Sequence, residues 1–481
     1  MKALPYSFAR RHGVLVQDEG RCLHRPGADP QALLEVQRLF GPLLVFESVG
    51  EEAFDSAIAA QYRDSAAGGM DLSETDDLAT LADSAAAVDD LLDSRDDSPV
   101  IKLINALLLQ AVKDGASDIH VETQEKRLIV RFRIDGVLRD MIEPKRALAP
   151  LLVSRIKVMA RLDIAEKRVP QDGRVTLRVG GYDIDVRVST IPTQHGERVV
   201  MRLLDRGSSG LDLAALGMSD RDRDLFHKLL DRPHGILLVT GPTGSGKTTT
   251  LYTALTHLND RKRNIMTVED PIEYELAGIG QTQVNAKTGM TFARGLRAIL
   301  RQDPDVIMVG EIRDQETADV AVRSSMTGHF VLSTLHTNSA IGSITRLIDM
   351  GVERYLLAPM VVGLIAQRLV RRLCGHCRWQ DRATEADSIL LGRALKPGKK
   401  IWRAQGCEHC HGEGYQGRLG LYEVVAADDE LRGLIHDGAS EAALTAAARR
   451  ASPSLLDDGV AKLKAGLTSV EEVARVVQDE G

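Results

Sequence analysis

Long apolar runs are missing from this chain: among its 481 residues no hydrophobic stretch approaches the ~20 that a membrane-spanning helix needs. No segment is expected to cross a bilayer. The opening Met1-Lys2-Ala3-Leu4-Pro5-Tyr6-Ser7-Phe8-Ala9-Arg10 also lacks the apolar core of a secretory signal, so the expected location is the cytoplasm, with membrane contact made through a partner. Aromatics are scarce, at 4% of residues, and the net charge of -7 with a pI near 6.0 gives no basic excess. Both argue against a chain whose main business is coating nucleic acid. Cysteines number five, too few for a disulfide scaffold, but four of them stand in two C-x-x-C pairs. In a reducing compartment that pattern points to metal.

Length and composition changes divide the chain. Residues 1–62 mix short apolar clusters with prolines and glycines, enough for a small α/β domain without a catalytic constellation, in which Cys22 is a half-buried small apolar residue. Within residues 63–97, Asp71 to Asp97 holds ten acidic residues against one basic, Arg95, and is expected to be a solvated tether. Ser98-Pro99 then caps a helix carrying Val100, Ile101, Ile104, Leu107, Leu108, Ala111 and Val112 at helical spacing. Strand-like alternation follows, with turns at Asp135-Gly136 and Gly180-Gly181, so residues 98–205 read as an α+β domain. On the second return strand Tyr182, Ile184, Val186 and Val188 share one face and Asp183, Asp185 and Arg187 the other.

Residues 206–373 hold the central stretch. Gly235-Ile236-Leu237-Leu238-Val239-Thr240 is a strand-length apolar run, and Gly241-Pro242-Thr243-Gly244-Ser245-Gly246-Lys247-Thr248 follows without a gap, with Thr249 continuing into a helix. This is G-x-x-x-x-G-K-[ST], in which glycines bring backbone N–H groups close to a polyphosphate and the helix adds its positive end. Lys247 suits the β- and γ-phosphates of ATP and Thr248 suits Mg²⁺. A glycine-rich turn with a chance lysine is the bland alternative, opposed by the agreement of strand, loop and helix. Further strands are expected at Asn264 to Val268, Val306 to Val309 and Phe330 to Thr334, separated by helices. The fold class is α/β, a RecA-like doubly wound parallel sheet that places its ligands at the carboxyl ends of the strands.

Polar residues close each of those strands: Glu269-Asp270-Pro271-Ile272-Glu273, Gly310-Glu311-Ile312-Arg313-Asp314 and Leu335-His336-Thr337-Asn338. Gly310 stands where many phosphate-loop enzymes have an aspartate, so two glutamates divide the work. Glu269 is assigned to water activation and Glu311 to Mg²⁺, while Asp314 and Glu273 read as helix caps. His336 is a candidate γ-phosphate sensor, and His329 is either a second one or a half-buried residue bonded to nearby backbone.

Cys374-Gly375-His376-Cys377 and Cys407-Glu408-His409-Cys410 bound a module, residues 374–410, whose four thiolates suit a closed tetrahedral Zn²⁺ site. Redox-active pairs are the other reading. Gln367 to Leu373 sets several arginines just before it, open to nucleic acid, anionic lipid or solvent. Residues 411–481 are expected to form a C-terminal helical domain.

The four motifs in order, from Gly241–Thr248 through Thr267-Val268-Glu269-Asp270 and Val309-Gly310-Glu311 to Gly328-His329 with Leu335-His336, resemble the secretion ATPase superfamily. They look like its Walker A, aspartate, Walker B and histidine boxes. Leu4-Pro5-Tyr6-Ser7-Phe8-Ala9-Arg10-Arg11-His12-Gly13 further resembles the general secretion pathway protein E family of type II secretion assembly ATPases. That resemblance implies a homo-hexamer that drives pseudopilus assembly, with the domain before the phosphate loop lending arginines to the nucleotide. The matching positions are Arg187 and Arg202, with Arg297 and Arg301 as further candidates and Arg418 near the base. The plain alternative for Arg187 is an ion pair with Asp185. The family also implies docking of residues 1–62 on the cytoplasmic domain of a bitopic inner-membrane protein, a polytopic inner-membrane platform partner, and peripheral attachment to that membrane. A type IV pilus assembly ATPase and a nucleic-acid translocase are the rival readings.

Overall fold

The structure, a computed structural model, describes residues 12–16, 21–28, 30–40, 45–50, 54, 57, 78, 82, 99–179, 182–205 and 212–477. Contacts divide the chain into two units, residues 1–134 with 138–205 and residues 135–137 with 206–481. No helix among the described residues is long and apolar enough to cross a membrane.

In the first unit, β1 (Val14–Val16), β2 (Arg21–His24) and β3 (Val45–Ser48) form a small sheet. Val14, Val16 and Cys22 pack with Ala32 and Val36 of the helix Pro30–Phe40. Cys22 is fully buried, not half-buried, and burial pushes its thiol up to about 11. The resembling opening up to Arg11 and almost all of the acidic segment lie outside the described residues. Within that segment Leu78 and Ala82 are helical and rest on the core of the α+β domain.

That α+β domain is a six-stranded sheet made of β4 (Ala116–Thr123), β5 (Leu128–Ile134), β6 (Val137–Ile142), β7 (Gln171–Val179), β8 (Tyr182–Thr193) and β9 (Gly196–Asp205). Its order is β6-β5-β4-β9-β8-β7. Asp135 and Gly136 both take positive φ, 50° and 86°, which is what a two-residue hairpin turn demands. The Gly180-Gly181 turn lies outside the described residues, although β7 and β8 pair on either side of it. Period-two alternation sends Ile119, Val121, Val130, Phe132, Ile184, Val186, Val188, Val199 and Met201 into one core with the helices Pro99–Lys113 and Ala149–Met159. The opposite face is polar.

The second unit is built on seven strands in the order β12-β11-β13-β14-β10-β15-β18. These are β10 (Gly235–Thr240), β11 (Ile265–Glu269), β12 (Gly280–Gln283), β13 (Val306–Val309), β14 (Phe330–Leu335), β15 (Val361–Leu373) and β18 (Tyr415–Ala426). β10 pairs in parallel with β14 and β15, and β13 pairs in parallel with β11 and β14. Their carboxyl ends therefore share one edge. Both faces are covered, which is why these strands read as unbroken apolar runs: Ile236 and Leu238 face one core, Leu237 and Val239 the other.

The expected helical domain 411–481 begins instead with a strand, β18, antiparallel to β15 and part of the main sheet. Leu421, Tyr422, Val424 and Val425 form a short apolar run that spacing alone does not separate from a buried helix. The helices Asp429–His436, Glu441–Arg449, Leu455–Lys464 and Val470–Val477 follow, as expected. One of them plants a charge in the interior: Lys462 Nζ donates to Asp458 Oδ2 and to the Gly420 carbonyl, both at 2.6 Å, and Asp458 also accepts the Tyr422 N–H at 2.8 Å.

Asp458→Ala leaves that buried ammonium unpaired and is expected to cost about 3–5 kcal/mol, whereas Asp458→Leu combined with Lys462→Met costs less than the single change. Urea titrations followed by tryptophan emission rank the two, and a double variant weaker than the single would refute this account.

Candidate phosphate-binding site and cysteine cluster

β10 delivers the chain into Gly241–Thr248 at the carboxyl edge, and the helix Lys247–Leu258 leaves it. The loop is floored by Gln367 of β15. A Cβ at Gly241, where φ is 150°, would lie 2.4 Å from the Gln367 carbonyl oxygen, and one at Gly246, where φ is 87°, 2.8 Å from its side-chain nitrogen. Only glycine fits at either place. Gln367 is itself fixed: its side-chain oxygen accepts from Thr250 Oγ1 at 2.7 Å, and its nitrogen reaches Tyr422 Oη at 3.4 Å. Pro242, Thr243, Gly244, Thr248 and Thr249 are exposed, whereas Ser245 Oγ is buried without a hydrogen-bond partner among the described residues. A phosphate oxygen in the loop would supply one.

Lys247 turns its Nζ back on the loop and donates to the carbonyls of Gly241 at 2.7 Å and Pro242 at 3.0 Å. Burial holds its ammonium down to about 8, against the favourable pull of Glu311. Glu311 is ion-paired with Arg313 and lies 3.5 Å from His336 Nε2, and Arg313 also lies 3.7 Å from Asp270. Burial, reinforced by the Lys247 charge, keeps His336 below the usual imidazole range, so it is a neutral hydrogen-bonding group at pH 7. Lys247, Glu311, His336 and Arg313 thus form one cluster at the loop.

Glu269 is held by a different set of partners. It is buried at the end of β11 and accepts from Tyr252 Oη, from Thr267 Oγ1 at 2.5 Å and from Gln281 Nε2 at 3.0 Å, so both carboxylate oxygens are engaged. Asp314 caps the helix Gln315–Met326 by accepting the Thr317 N–H at 2.8 Å. Glu273 caps nothing, because residues 270–279 form a loop and no helix starts there.

His329 belongs to the other end of the sheet. It precedes β14, its carbonyl accepts from Gly235 at the start of β10, and its Nδ1 lies 2.9 Å from the Ser324 carbonyl and 3.1 Å from Thr327 Oγ1. The 6 residues of β14 carry the chain roughly 20 Å from there to His336, and within the described residues His329 matches its other reading, a half-buried residue bonded to nearby backbone. Arg297, on the exposed side of the helix Phe292–Ile299, pairs with Glu316, and Arg301, in the turn just past that helix, donates its Nη1 to the Arg297 carbonyl at 2.8 Å. Arg418, half-exposed on β18, pairs in register with Arg371. In the α+β domain, Asp185 is held by Arg174 at 2.9 Å and by Thr176, and Arg202 Nε donates to Asp118 at 2.8 Å. The arginines before the cysteines are largely committed inside the fold. Buried Arg368 donates to the carbonyls of Gln367 and Asn338, and Arg371 pairs with Glu472 at 3.0 Å and lies 4.1 Å over the Tyr415 ring.

Gln367, Arg368 and Tyr252 escaped sequence reasoning. One signal was present for the first two, a glutamine and an arginine closing the apolar run Val361–Ala366. Tyr252 carried none.

Cys374, Cys377, Cys407 and Cys410 bring their Sγ atoms within 4.8 Å of one another, with separations of 3.7 and 3.9 Å among them. Tetrahedral zinc with Zn–S near 2.3 Å requires about 3.8 Å between sulfurs, so the set could hold zinc. Burial opposes ionisation of Cys410, but the N–H groups of Cys407 and Gly414 outweigh it and bring the thiol down to about 7. His376 and His409 stack on each other, ring centres 4.0 Å apart, outside the cysteine group. Between the pairs, β16 (Trp379–Arg382), the helix Glu385–Leu390 and β17 (Lys400–Arg403) make the expected excursion.

Residues 93–475 match the type II/IV secretion system protein family, and residues 3–62 match an amino-terminal domain family of GSPII protein E. The type II secretion system protein E of Pseudomonas aeruginosa is 58% identical over 486 residues, covering 100% of this chain and 97% of that protein. The type II secretion system ATPase E of Vibrio cholerae is 51% identical over 489 residues, covering 100% and 97%. Among solved structures, the pilus retraction motor PilT with bound ADP is 26% identical, with a TM-score of 0.54, over 78% of this chain and 96% of that one.

Bound phosphate restores the charge on Lys247, so above pH 8 nucleotide binding is expected to take up a proton, and affinity to fall by up to about tenfold per pH unit. Calorimetry at about pH 9 in buffers of different ionisation heat reads this, and no uptake would mean that the lysine is charged in the empty loop. Metal analysis should find one zinc per chain, and its removal by a chelator should shift the emission of Trp379 and Trp402, which flank the cysteines. Metal-free protein with unshifted emission would overturn the zinc assignment.

Proposed function

Because the chain belongs to the type II/IV secretion system protein family and is an ATPase of type II secretion like its full-length relatives, we propose that it is the motor whose ATP hydrolysis drives pseudopilus assembly and export of folded proteins across the outer membrane. The observation that carries this reading is the convergence of Lys247, Glu311, His336 and Arg313 beside the phosphate loop.

Hydrolysis forms a bond from a water oxygen to the γ-phosphorus and breaks the bond to the bridging oxygen, while the water's proton passes to a base. Lys247 neutralises the polyphosphate, Thr248 and Glu311 hold Mg²⁺, and His336 hydrogen-bonds near the γ-phosphate. Glu269, the carboxylate first assigned to water, instead fastens β11 to the loop helix through Tyr252, which supports moving water activation to another residue. We assign it to Glu273, half-buried on the next loop, whose N–H donates to the same Tyr252 oxygen at 3.2 Å.

A homo-hexamer is the proposed working form, with Arg187, Arg202, Arg297, Arg301 and Arg418 completing the nucleotide sites. Zn²⁺ is the proposed structural metal of the cysteine cluster. Residues 1–62 dock on the cytoplasmic domain of a bitopic inner-membrane secretion protein, and a polytopic platform protein receives the displacement. Those contacts hold the chain at the cytoplasmic face of the inner membrane. The amino-terminal match to a GSPII domain favours type II secretion over pilus assembly. Commitment of Arg368 and Arg371 to internal partners disfavours nucleic acid.

Lys247→Ala and Glu311→Gln are expected to silence turnover and export, and cells that export normally with Lys247→Ala would end the motor reading. Glu273→Gln should lower kcat by roughly 10²–10⁴-fold with nucleotide affinity kept, while Glu269→Gln chiefly lowers the unfolding midpoint. The reverse ranking would return water activation to Glu269.

A further inference from the structure

The helix that leaves the phosphate loop starts without a side-chain cap. Its N-cap position is Gly246, at φ 87°, which makes no capping bond to the first turn of Lys247–Leu258. A serine or aspartate there would satisfy N–H groups that a phosphate oxygen otherwise receives, and so would compete with the anion. Without a cap, however, nothing local fixes the direction in which the helix end points. That direction is set from the neighbouring strand.

Gln367 of β15, itself buried, meets the loop at three places. Its carbonyl oxygen lies 2.4 Å from the Cβ position of Gly241, where the loop begins, and its Nε2 2.8 Å from that of Gly246, where the helix begins. One turn further on, the hydroxyl of fully buried Thr250 donates to Gln367 Oε1 at 2.7 Å. The amide is fixed from its other end as well. Its Nε2 donates to Tyr422 Oη at 3.4 Å, and Tyr422 Oη donates to the Leu216 carbonyl at 3.1 Å. Burial pushes the Tyr422 phenol above its ordinary range against the pull of the Thr250 hydroxyl, so the phenol keeps the proton it donates. Reversing the amide would set its oxygen against Tyr422, whose one proton already goes to Leu216, so a single orientation serves both neighbours.

We propose that Gln367 is a positioning residue for nucleotide binding and hydrolysis: bearing on Gly241, Gly246 and Thr250 at once, it sets the span of the loop and aims the uncapped helix end, with Lys247, at the polyphosphate. The proposal rests on the reading of Gly241–Thr248 as the nucleotide site. Gln367 touches no substrate and acts only through the loop and its helix.

The test is a double-mutant cycle in the full chain with Gln367→Met, which keeps the length and removes both side-chain bonds, and Thr250→Val, which keeps the shape and removes the donor. The Kd of a fluorescent ATP analogue, kcat and KM are read well below each variant's urea midpoint, and the midpoint is read without nucleotide. Each change should raise Kd by about tenfold and lower kcat/KM by roughly 10- to 100-fold. In the Gln367→Met background Thr250→Val should add less than about twofold. Thr250→Ser keeps the hydroxyl and should restore most of the loss. If Gln367→Met does not fold, the contrast between Thr250→Val and Thr250→Ser decides alone: a loss in the first that the second recovers supports the proposal, and equal values overturn it. A contact that is merely structural lowers the urea midpoint and leaves Kd and kcat/KM unchanged, and that result would overturn the proposal, as would fully additive losses. A parent chain that binds no analogue would instead remove the nucleotide-site reading, and the proposal with it.

Discussion

No side chain fits between the phosphate loop and Gln367. That steric limit, a Gly241 Cβ position 2.4 Å from a carbonyl oxygen, ties the candidate site to everything downstream. Gln367 sits midway along a 13-residue strand whose next residues lock onto the histidine loop through Arg368 and Asn338, and onto the last helix through Arg371 and Glu472. The strand then runs straight into Cys374. Its partner β18 contributes Tyr422, which reaches Gln367 on one side and is held through its N–H by Asp458 on the other. Loop floor, cysteine cluster and C-terminal helices are therefore one close-packed body, in which a displacement of any part has to be answered by the others.

Much of this was legible in the sequence, for reasons that can be stated. The loop announced itself because three constraints coincide in eight residues: an apolar run, glycines where backbone must approach closely, and a lysine at the helix start. The cysteine cluster was legible because covalent spacing within each C-x-x-C pair leaves little freedom. Which of His329 and His336 stands at the loop was not legible, because a motif fixes neighbours along the chain, while the two ends of one strand lie on opposite edges of the sheet. The orientation of the Glu269 carboxylate was not legible for a related reason. Spacing told that a glutamate closes β11, but the direction of its carboxylate depends on Tyr252 and Gln281, which come from a helix and a strand on either side of it. β18 was missed because buried strands and short buried helices share one composition.

The two units present the same electrostatic problem in different forms. In the second, a lysine is desolvated far enough to hold its charge weakly and satisfies itself on the carbonyls of its own loop. In the first, guanidiniums outnumber the acids along one row of a sheet face. Desolvation of the Lys247 ammonium opposes folding, whereas Arg174 and Arg202 are met by Asp185 and Asp118. The desolvated lysine becomes favourable when several negative oxygens arrive together. A polyphosphate relieves a strain that folding leaves in place, and interactions of that kind are the ones that strengthen as negative charge builds on a transferring phosphoryl group. That is why the acids beside these cations matter as much as the cations. Glu311 near Lys247 favours its charged form against burial without neutralising it.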